Sequence, residues 1–492
     1  MINKIIQGDC LEVMRTMADC SVDIIFTDPP YAMGSKVIIK NGKPEYQKAA
    51  DFMGKWAQPN GEFWEEWFTE AMRILKYGGR VLMFGIDRQS WFNAYYACNA
   101  GFEKQMSLYW YFISNFPKAA DLSKAIDKNA GAEREIVGKK NLHSYKSKSS
   151  GNSINEGLRN DFEKVNTLTA PKTDLAKKYD GYKYSVAPLK QVVEEIAIFQ
   201  KPYKTGSCLH DTLAYENGDK ECLCGALDID GNRVEFVSAA DRKESTQKNQ
   251  HEKFGTEPMT DNTCYGDFSM IQPKDYNPTG RFPPQTFVDS DVADLLDKQS
   301  GLNKSSGGDG SKFSAVKRNA LSNNSLRTTV KDGENGLGFG DIGGCSKILP
   351  KCDYDTEDFD LYIYCPKVSK EERNFGCGEL EKKQTGTFAQ DEWSRNNMGN
   401  TPDNKRDGNQ NNHPTVKPQQ LLIKILKLFK TPNPQVVLDC FAGSGSIPMA
   451  CVELGIDFIA IELNPLNCEI AEARVGKTKL HTDVKSSQVS MF

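Results

Sequence analysis

The chain has 492 residues, enough for two or three domains with an ordinary core in each, but only 38% are hydrophobic and 40 are glycine, which favours a folded core carrying long polar insertions over one compact globule. The net charge of −4 does not announce a nucleic-acid partner, no apolar run reaches the roughly 18 residues of a membrane span, and "MINKIIQGDC" lacks the apolar region and cleavage site of a signal peptide. Fourteen cysteines without a framework spacing suit a reducing cytoplasm better than a disulfide scaffold, with Cys10, Cys98 and Cys440 in apolar surroundings.

Residues 1–112 alternate strand and helix. "VDIIFTD" reads as a buried strand. "GEFWEEWFTEAMRILKYGG" reads as a helix ending at Gly78-Gly79, with Trp64, Trp67 and Phe68 at core spacing. "RVLMFG" is a strand, "DRQSWFNAYYACNAG" a helix and "EKQMSLYWYF" a strand. The pattern predicts βαβ units and a parallel sheet covered by helices. It returns near the C-terminus with the helix "PQQLLIKILKLF", strand "PQVVLDCF", helix "GSIPMACVELG", strand "DFIAIEL" and helix "NPLNCEIAEARV". Residues 479–492 read as a frayed tail.

The interior differs. Residues 118–187 are polar and hold fourteen Lys/Arg against nine Asp/Glu from Lys118 to Lys183, interleaved with Tyr145, Tyr179, Tyr182 and Tyr184. Such a segment suits phosphates or a merely solvated face. "QVVEEIAIFQKP" reads as a strand within 188–203, and "FDLYIYCPK" as another within 358–377. Residues 204–357 are rich in Gly, Ser, Asn and Asp, and 378–412 read as loop. The expected division is therefore one sheet split between 1–117 and 413–478, with the insertions between.

Two stretches carry chemistry. In "VVLDCFAGSGSIPMA" a strand runs through Asp439 into a turn with Gly443 and Gly445, then a helix. Glu462 ends the next strand. That is where a doubly wound sheet offers a carboxylate to ribose hydroxyls. The turn has neither the third glycine of a dinucleotide site nor the Lys-Ser/Thr of a P-loop, so it predicts an adenosine-type ligand without a pyrophosphate. In "TDPPYAMG" the buried strand stops at Asp28, Pro29, Pro30 and Tyr31, because tandem prolines cannot continue it.

Together "LDCFAGSGS" and "TDPPY" resemble S-adenosylmethionine-dependent amino-methyltransferases of DNA. The catalytic loop comes first and the cofactor loop last, which resembles the circularly permuted β class. "QGDCLEVM", "HPTVKP" and "FIAIELNP" are similar to further motifs of that family, and "NFPKAADLSKAIDK", "LKQVVEEIAIFQKP", "GRFPPQTFV" and "YCPKVSKEERNFGCG" look like segments of phage and prophage DNA methyltransferases. The resemblance implies a Rossmann-like methyltransferase sheet, circularly permuted, with a large irregular target-recognition insertion at 204–357. It implies a cofactor site of Asp9, Cys10, Asp28, His413, Thr415, Lys417, Pro418, Asp439, Phe441, Ala442, Gly443, Ser444, Gly445, Glu462 and Asn464. Asp9 would face adenine, Lys417 the cofactor's carboxylate, and Glu462 the ribose. Ser446 and Cys440 stand where Thr and Pro are common in the family, which removes no group the chemistry needs. "LKQ" replaces a usual Leu-Lys-Pro, a change of loop shape and not of the reacting groups.

The chemistry explains the catalytic motif. An exocyclic amine is a poor nucleophile because its lone pair is delocalised into the base. Acceptors on its two N–H groups, Asp28 and the Pro29 carbonyl, would localise that pair, while Tyr31 stacks on a base flipped from double-stranded DNA. An acid at the motif's head resembles the adenine branch. A cytosine N4 enzyme is the alternative, and a catalytically silent nucleic-acid-binding protein is the reading from another class. The partners expected are double-stranded DNA and no membrane. A homodimer and a restriction partner stay open. No metal is expected, although Cys208, His210, Cys222 and Cys224 could be read as a zinc set, and Cys345, Cys352, Cys365 and Cys377 as a looser one. Arg281 and Lys118 are candidates for phosphate contacts.

Overall fold

The computed structural model describes residues 1–31, 36–47, 60–111, 119–139, 167–185, 188–189, 191–236, 279–287, 368–381, 410–413 and 415–489, with short pieces at 239, 242, 297–298, 303–304 and 342–343. The strand expected at "FDLYIYCPK", Lys118, Tyr145, and Cys345, Cys352 and Cys365 lie outside the described residues.

The chain divides into two units. One comprises residues 1–225, 366–423 and 433–492, the other 226–365 and 424–432. The elements used below are β1 (Lys4–Gln7), α1 (Cys10–Arg15), β2 (Val22–Thr27), α2 (Gly61–Ile74), β3 (Leu75–Gly85), α3 (Asp87–Asn99), β4 (Leu108–Tyr111), β5 (Val193–Gln200), α4 (Gln419–Phe429), β6 (Val436–Asp439), α5 (Ser446–Leu454), β7 (Asp457–Glu462) and α6 (Pro465–Val489), all in the first unit except the part of α4 from residue 424 on. Strands run in the order β1-β7-β6-β2-β3-β5-β4. From β1 to β3 all neighbours are parallel, and β5 lies antiparallel to both β3 and β4. The sheet is thus α/β, Rossmann-like and mostly parallel, with an antiparallel edge where a wholly parallel one was expected.

The local causes are plain. β2 is buried along its whole length, as a central parallel strand must be. Its one internal acid, Asp23, is satisfied by the Lys76 ammonium at 2.8 Å and the Val436 N–H at 2.8 Å. α2 starts at the Asn60 cap, whose side chain accepts from the Phe63 N–H. Its stripe of Trp64, Trp67, Phe68, Ala71 and Ile74 is buried against α1, α3 and one face of the sheet. Each large side chain there contributes roughly 1.5–3 kcal/mol of burial. Strand residues alternate, so Ile25, Val81 and Phe199 join that core, while Phe26, Phe84 and Ile198 are buried on the opposite face.

Three element boundaries differ from the sequence reading. α2 ends at Ile74, because Leu75 is already extended, and β3 absorbs "KYGG". Gly78 has a φ of +81°, so it serves a bend inside the strand rather than a helix stop. The strand expected at 103–112 is two pieces, Glu103–Lys104 and Leu108–Tyr111. The expected tail is helical, with α6 running to Val489. Cys10 and Cys440 are buried as anticipated, but Cys98 is exposed.

Within the second unit, Val234–Glu235 pairs antiparallel with Gly280–Arg281. The Arg281 guanidinium lies 5.3 Å from the centre of the Phe236 ring.

Candidate active site

The parallel neighbours β6 and β2 place their carboxyl ends side by side. Thr27, the last residue of β2, donates its hydroxyl to Asp439 Oδ1 at 2.9 Å, and both are buried. The same oxygen accepts the Phe441 N–H at 3.2 Å. Burial pushes the Asp439 carboxyl up to about 7 against the pull of those two donors. One buried acid therefore ties the start of the "FAGSG" turn to the residue before Asp28.

The turn itself is held from several sides. Glu462, at the end of β7, accepts the Gly443 N–H at 2.8 Å on one oxygen. On the other it accepts the Asn464 N–H at 2.8 Å and the Asn467 amide at 3.1 Å. Asn464 in turn accepts the Leu466 N–H and starts α6, with Pro465 as its first residue. Gly443 and Gly445 have φ of +52° and +79°. A Cβ on Gly443 would sit 2.7 Å from His413 Nε2, so only glycine lets the His413 ring pack there. Burial drives the His413 imidazole down to about 4, so it is neutral and packs rather than carrying charge. Its carbonyl accepts from Arg373. Beneath the turn, the fully buried Arg474 donates to the Ser444 carbonyl at 2.7 Å, and to the Ser444 and Ser446 hydroxyls at 3.1 and 3.2 Å.

Beside it, the "TDPPY" motif forms a charged cluster. Lys417, 7% exposed, donates its ammonium to Asp28 Oδ2 at 2.7 Å and to the Tyr31 hydroxyl at 3.2 Å. Its ammonium is also 3.4 Å from Glu194. The Tyr31 hydroxyl donates to Asp28 Oδ1 at 2.7 Å and lies 3.3 Å from Glu194 Oε2. Burial would lower the Lys417 ammonium, but Asp28 and Glu194 hold it above its ordinary value. Burial raises the Glu194 carboxyl although Lys417 opposes it, and raises the Tyr31 phenol further with both acids acting alongside.

Asp28, Tyr31, Lys417, Asp439, the glycine turn and Glu462 thus come together, although "TDPPY" and "FAGSG" are some four hundred residues apart. In this structure Lys417 is ion-paired to Asp28, whereas the resemblance gave it the cofactor's carboxylate. Asp9 caps α1, accepting the Leu11 and Glu12 N–H groups, and Cys10 is buried beside it, with burial pushing its thiol up to about 12. Thr415 is exposed and Pro418 buried. Glu194, Thr27, Arg373 and Arg474 escaped the sequence reading. Glu194 had one signal, an acid set in the strand "VVEEIAIFQ". Cys208, His210, Cys222 and Cys224 do not converge: His210 Nδ1 bonds the Ser207 hydroxyl, and among the described residues no group of three or more His, Cys, Asp or Glu could hold a metal ion. Nor is any described helix long and apolar enough to cross a membrane.

A family model described as DNA methylase matches residues 22–473. The chain belongs to that family. Among curated relatives, the type II methyltransferase M.HinfI of Haemophilus influenzae is 36% identical over 92 residues, 17% of this chain and 24% of the relative. M2.LlaDCHI of Lactococcus lactis is 29% identical over 127 residues, 26% of this chain and 45% of the relative. The chain therefore spans less than half the length of either of these relatives. Among solved structures, the PvuII DNA methyltransferase matches with a TM-score of 0.36 at 10% identity, over 96% of this chain and 85% of that one.

Proposed function

We propose that this DNA methylase is a site-specific enzyme that transfers a methyl group from S-adenosylmethionine to N6 of adenine in double-stranded DNA, leaving S-adenosylhomocysteine. The observation that carries the reading is the Thr27–Asp439 hydrogen bond. It fixes an amine-gripping motif next to a glycine turn at the carboxyl ends of adjacent parallel strands, where ligands bind in such sheets.

The residues present fit the cofactor. Gly443 and Gly445 keep side chains off the turn. The Glu462 carboxylate, already ordered by three donors, retains one lone-pair site, on Oε2, for a ribose hydroxyl. Phe441, Asp9 and Cys10 would line the adenine end. The bound cofactor supplies an electrophilic methyl group on a sulfonium. Asp28 accepts from one N–H of the target amine and the Pro29 carbonyl from the other, so the nitrogen lone pair points at the methyl carbon, and as the N–C bond forms and the S–C bond breaks the now acidic nitrogen gives one proton to Asp28, which passes it to water. Tyr31 stacks on the flipped base and offsets part of the roughly few kcal/mol of unstacking. No covalent intermediate on the enzyme is needed, and the buried Cys10 and Cys440, with thiols pushed upward by burial, suit none.

The acid at the head of the motif supports adenine over cytosine. Incubation with methyl-labelled cofactor and duplex DNA of mixed sequence, followed by digestion to nucleosides, separates the outcomes. Label on adenosine is expected. Label on cytidine moves the assignment to N4 of cytosine, and no label on any nucleoside overturns both.

A further inference from the structure

We propose that Glu194 is a positioning residue of methyl transfer: it receives the Lys417 ammonium and the Tyr31 hydroxyl from Asp28 when the target amine enters. The proposal rests on the methyltransferase reading above.

The argument starts from the state of Asp28. Both its oxygens are engaged, Oδ1 by the Tyr31 hydroxyl at 2.7 Å and Oδ2 by the Lys417 ammonium at 2.7 Å. A carboxylate neutralised by a buried ammonium attracts an amine weakly, and the amine turns cationic as it gains the methyl group. Asp28 keeps lone pairs beside its two donors, but it offers the amine a full negative charge only when the Lys417 ammonium, and with it the Tyr31 hydroxyl, moves off it. Neither can simply be released, because a buried ammonium or hydroxyl without an acceptor is costly. Glu194 solves this geometrically. Its carboxylate already stands 3.4 Å from the Lys417 ammonium and 3.3 Å from the Tyr31 hydroxyl. Both donors lie between the two acids, so each can lengthen one bond while shortening the other and never lose an acceptor.

Charge points the same way. Two carboxylates face one ammonium, which leaves one negative charge in excess when both acids are ionised. With Lys417 resting on Glu194, that excess falls on Asp28, where the amine becomes positive. The position is also rigid. Glu194 lies in β5, where it pairs with Trp110 of β4 one residue before the pairing with β3 begins at Glu195. Its neighbour Glu195 points to the other face, where it accepts from the Ser107 hydroxyl, so the two adjacent acids have different duties. Burial holds the Glu194 carboxyl above its ordinary value while Lys417 counters it, so its charge depends on that lysine.

The test compares wild type, Glu194→Gln and the double variant Glu194→Gln/Tyr31→Phe by transfer of labelled methyl to DNA, with cofactor affinity measured by calorimetry. Glutamine keeps an acceptor but not the charge, so Lys417 stays on Asp28. The expected result is a kcat lower by roughly 10²-fold, the usual scale for one positioned polar group at a reacting centre, with cofactor affinity unchanged. Removing the Tyr31 hydroxyl relieves one of the two holds on Asp28, so the double variant should transfer faster than Glu194→Gln. A Glu194→Gln enzyme within threefold of wild type overturns the proposal. So does cofactor affinity falling in step with transfer, or a double variant no faster than the single one. A wild-type protein that transfers no methyl to any DNA overturns the underlying reading, and this proposal with it.

Discussion

At the residue scale, two acids at adjacent strand ends, Asp28 half-buried and Asp439 buried, do opposite things. Asp28 is ion-paired to Lys417, and the proposed mechanism gives it the target amine. Replacing it with alanine should lower transfer by about 10³-fold or more, about 4 kcal/mol in the barrier, while cofactor binding persists. Labelled transfer and calorimetry on the same protein check this, and surviving transfer would remove Asp28 from its role. Asp439 has no ion pair among the described residues, and burial pushes its carboxyl up to about 7. Because that value lies above the ordinary range near 4, its contribution to stability is complete below about pH 4 and is lost as pH rises through about 7. Asp439→Asn keeps an acceptor for Thr27 and Phe441 but cannot ionise. Its melting temperature should therefore gain on wild type as pH rises from about 4 to about 8. A gap that stays constant with pH would count against this account. The identities of these acids were legible in the sequence, because each ends a strand. What they touch was not, since Lys417 and Glu194 approach Asp28 only through the fold.

At the element scale, the glycine turn is a fitted part. Gly443 has a left-handed φ of +52°, and an added Cβ would meet His413 Nε2 at 2.7 Å. Gly443→Ala should thus displace the ring and lower cofactor affinity by tenfold or more, the effect of roughly 1.4 kcal/mol. Adding His413→Ala removes the clash but leaves the backbone strain of about 1–2 kcal/mol, so it should restore affinity in part. Full restoration would mean that strain is negligible, and no restoration that the ring is not the obstacle. The turn could be read from "LDCFAGSGS" because its glycines, strand and helix are consecutive. The clamp below it could not, because Arg474 comes from α6 and signals only as one basic residue on an apolar helix face. The same limit explains the end of α2: the pair Gly78-Gly79 looks like a helix stop, but pairing of β3 with β2 and β5 overrides that local preference.

At the scale of the whole molecule, the order of the motifs made the split sheet legible: strand-helix alternation stops near residue 112 and resumes near 419. The antiparallel course of β5 was not legible, because a short apolar run does not carry its direction. The split has a consequence for folding. β2 is fully buried, yet its partners are β3 on one side and β6 on the other, and β6 comes from residues 436–439. A fragment of residues 1–225 therefore exposes one edge of its most apolar strand, with unpaired backbone groups that invite aggregation. It also lacks the Val436 N–H that helps satisfy the buried Asp23, and the Asp439 carboxylate that accepts from Thr27. Left in a dry interior, each such group costs about 1–3 kcal/mol. Expressed alone, this fragment should be insoluble or should melt without cooperativity. Expressed together with residues 366–492, which supply β6, β7 and α6, it should be soluble and elute with its partner from a sizing column. A monomeric 1–225 fragment with a sharp melting transition would show that the N-terminal strands form a core without the C-terminal ones, and the cofactor turn would then be an addition to that core rather than part of it.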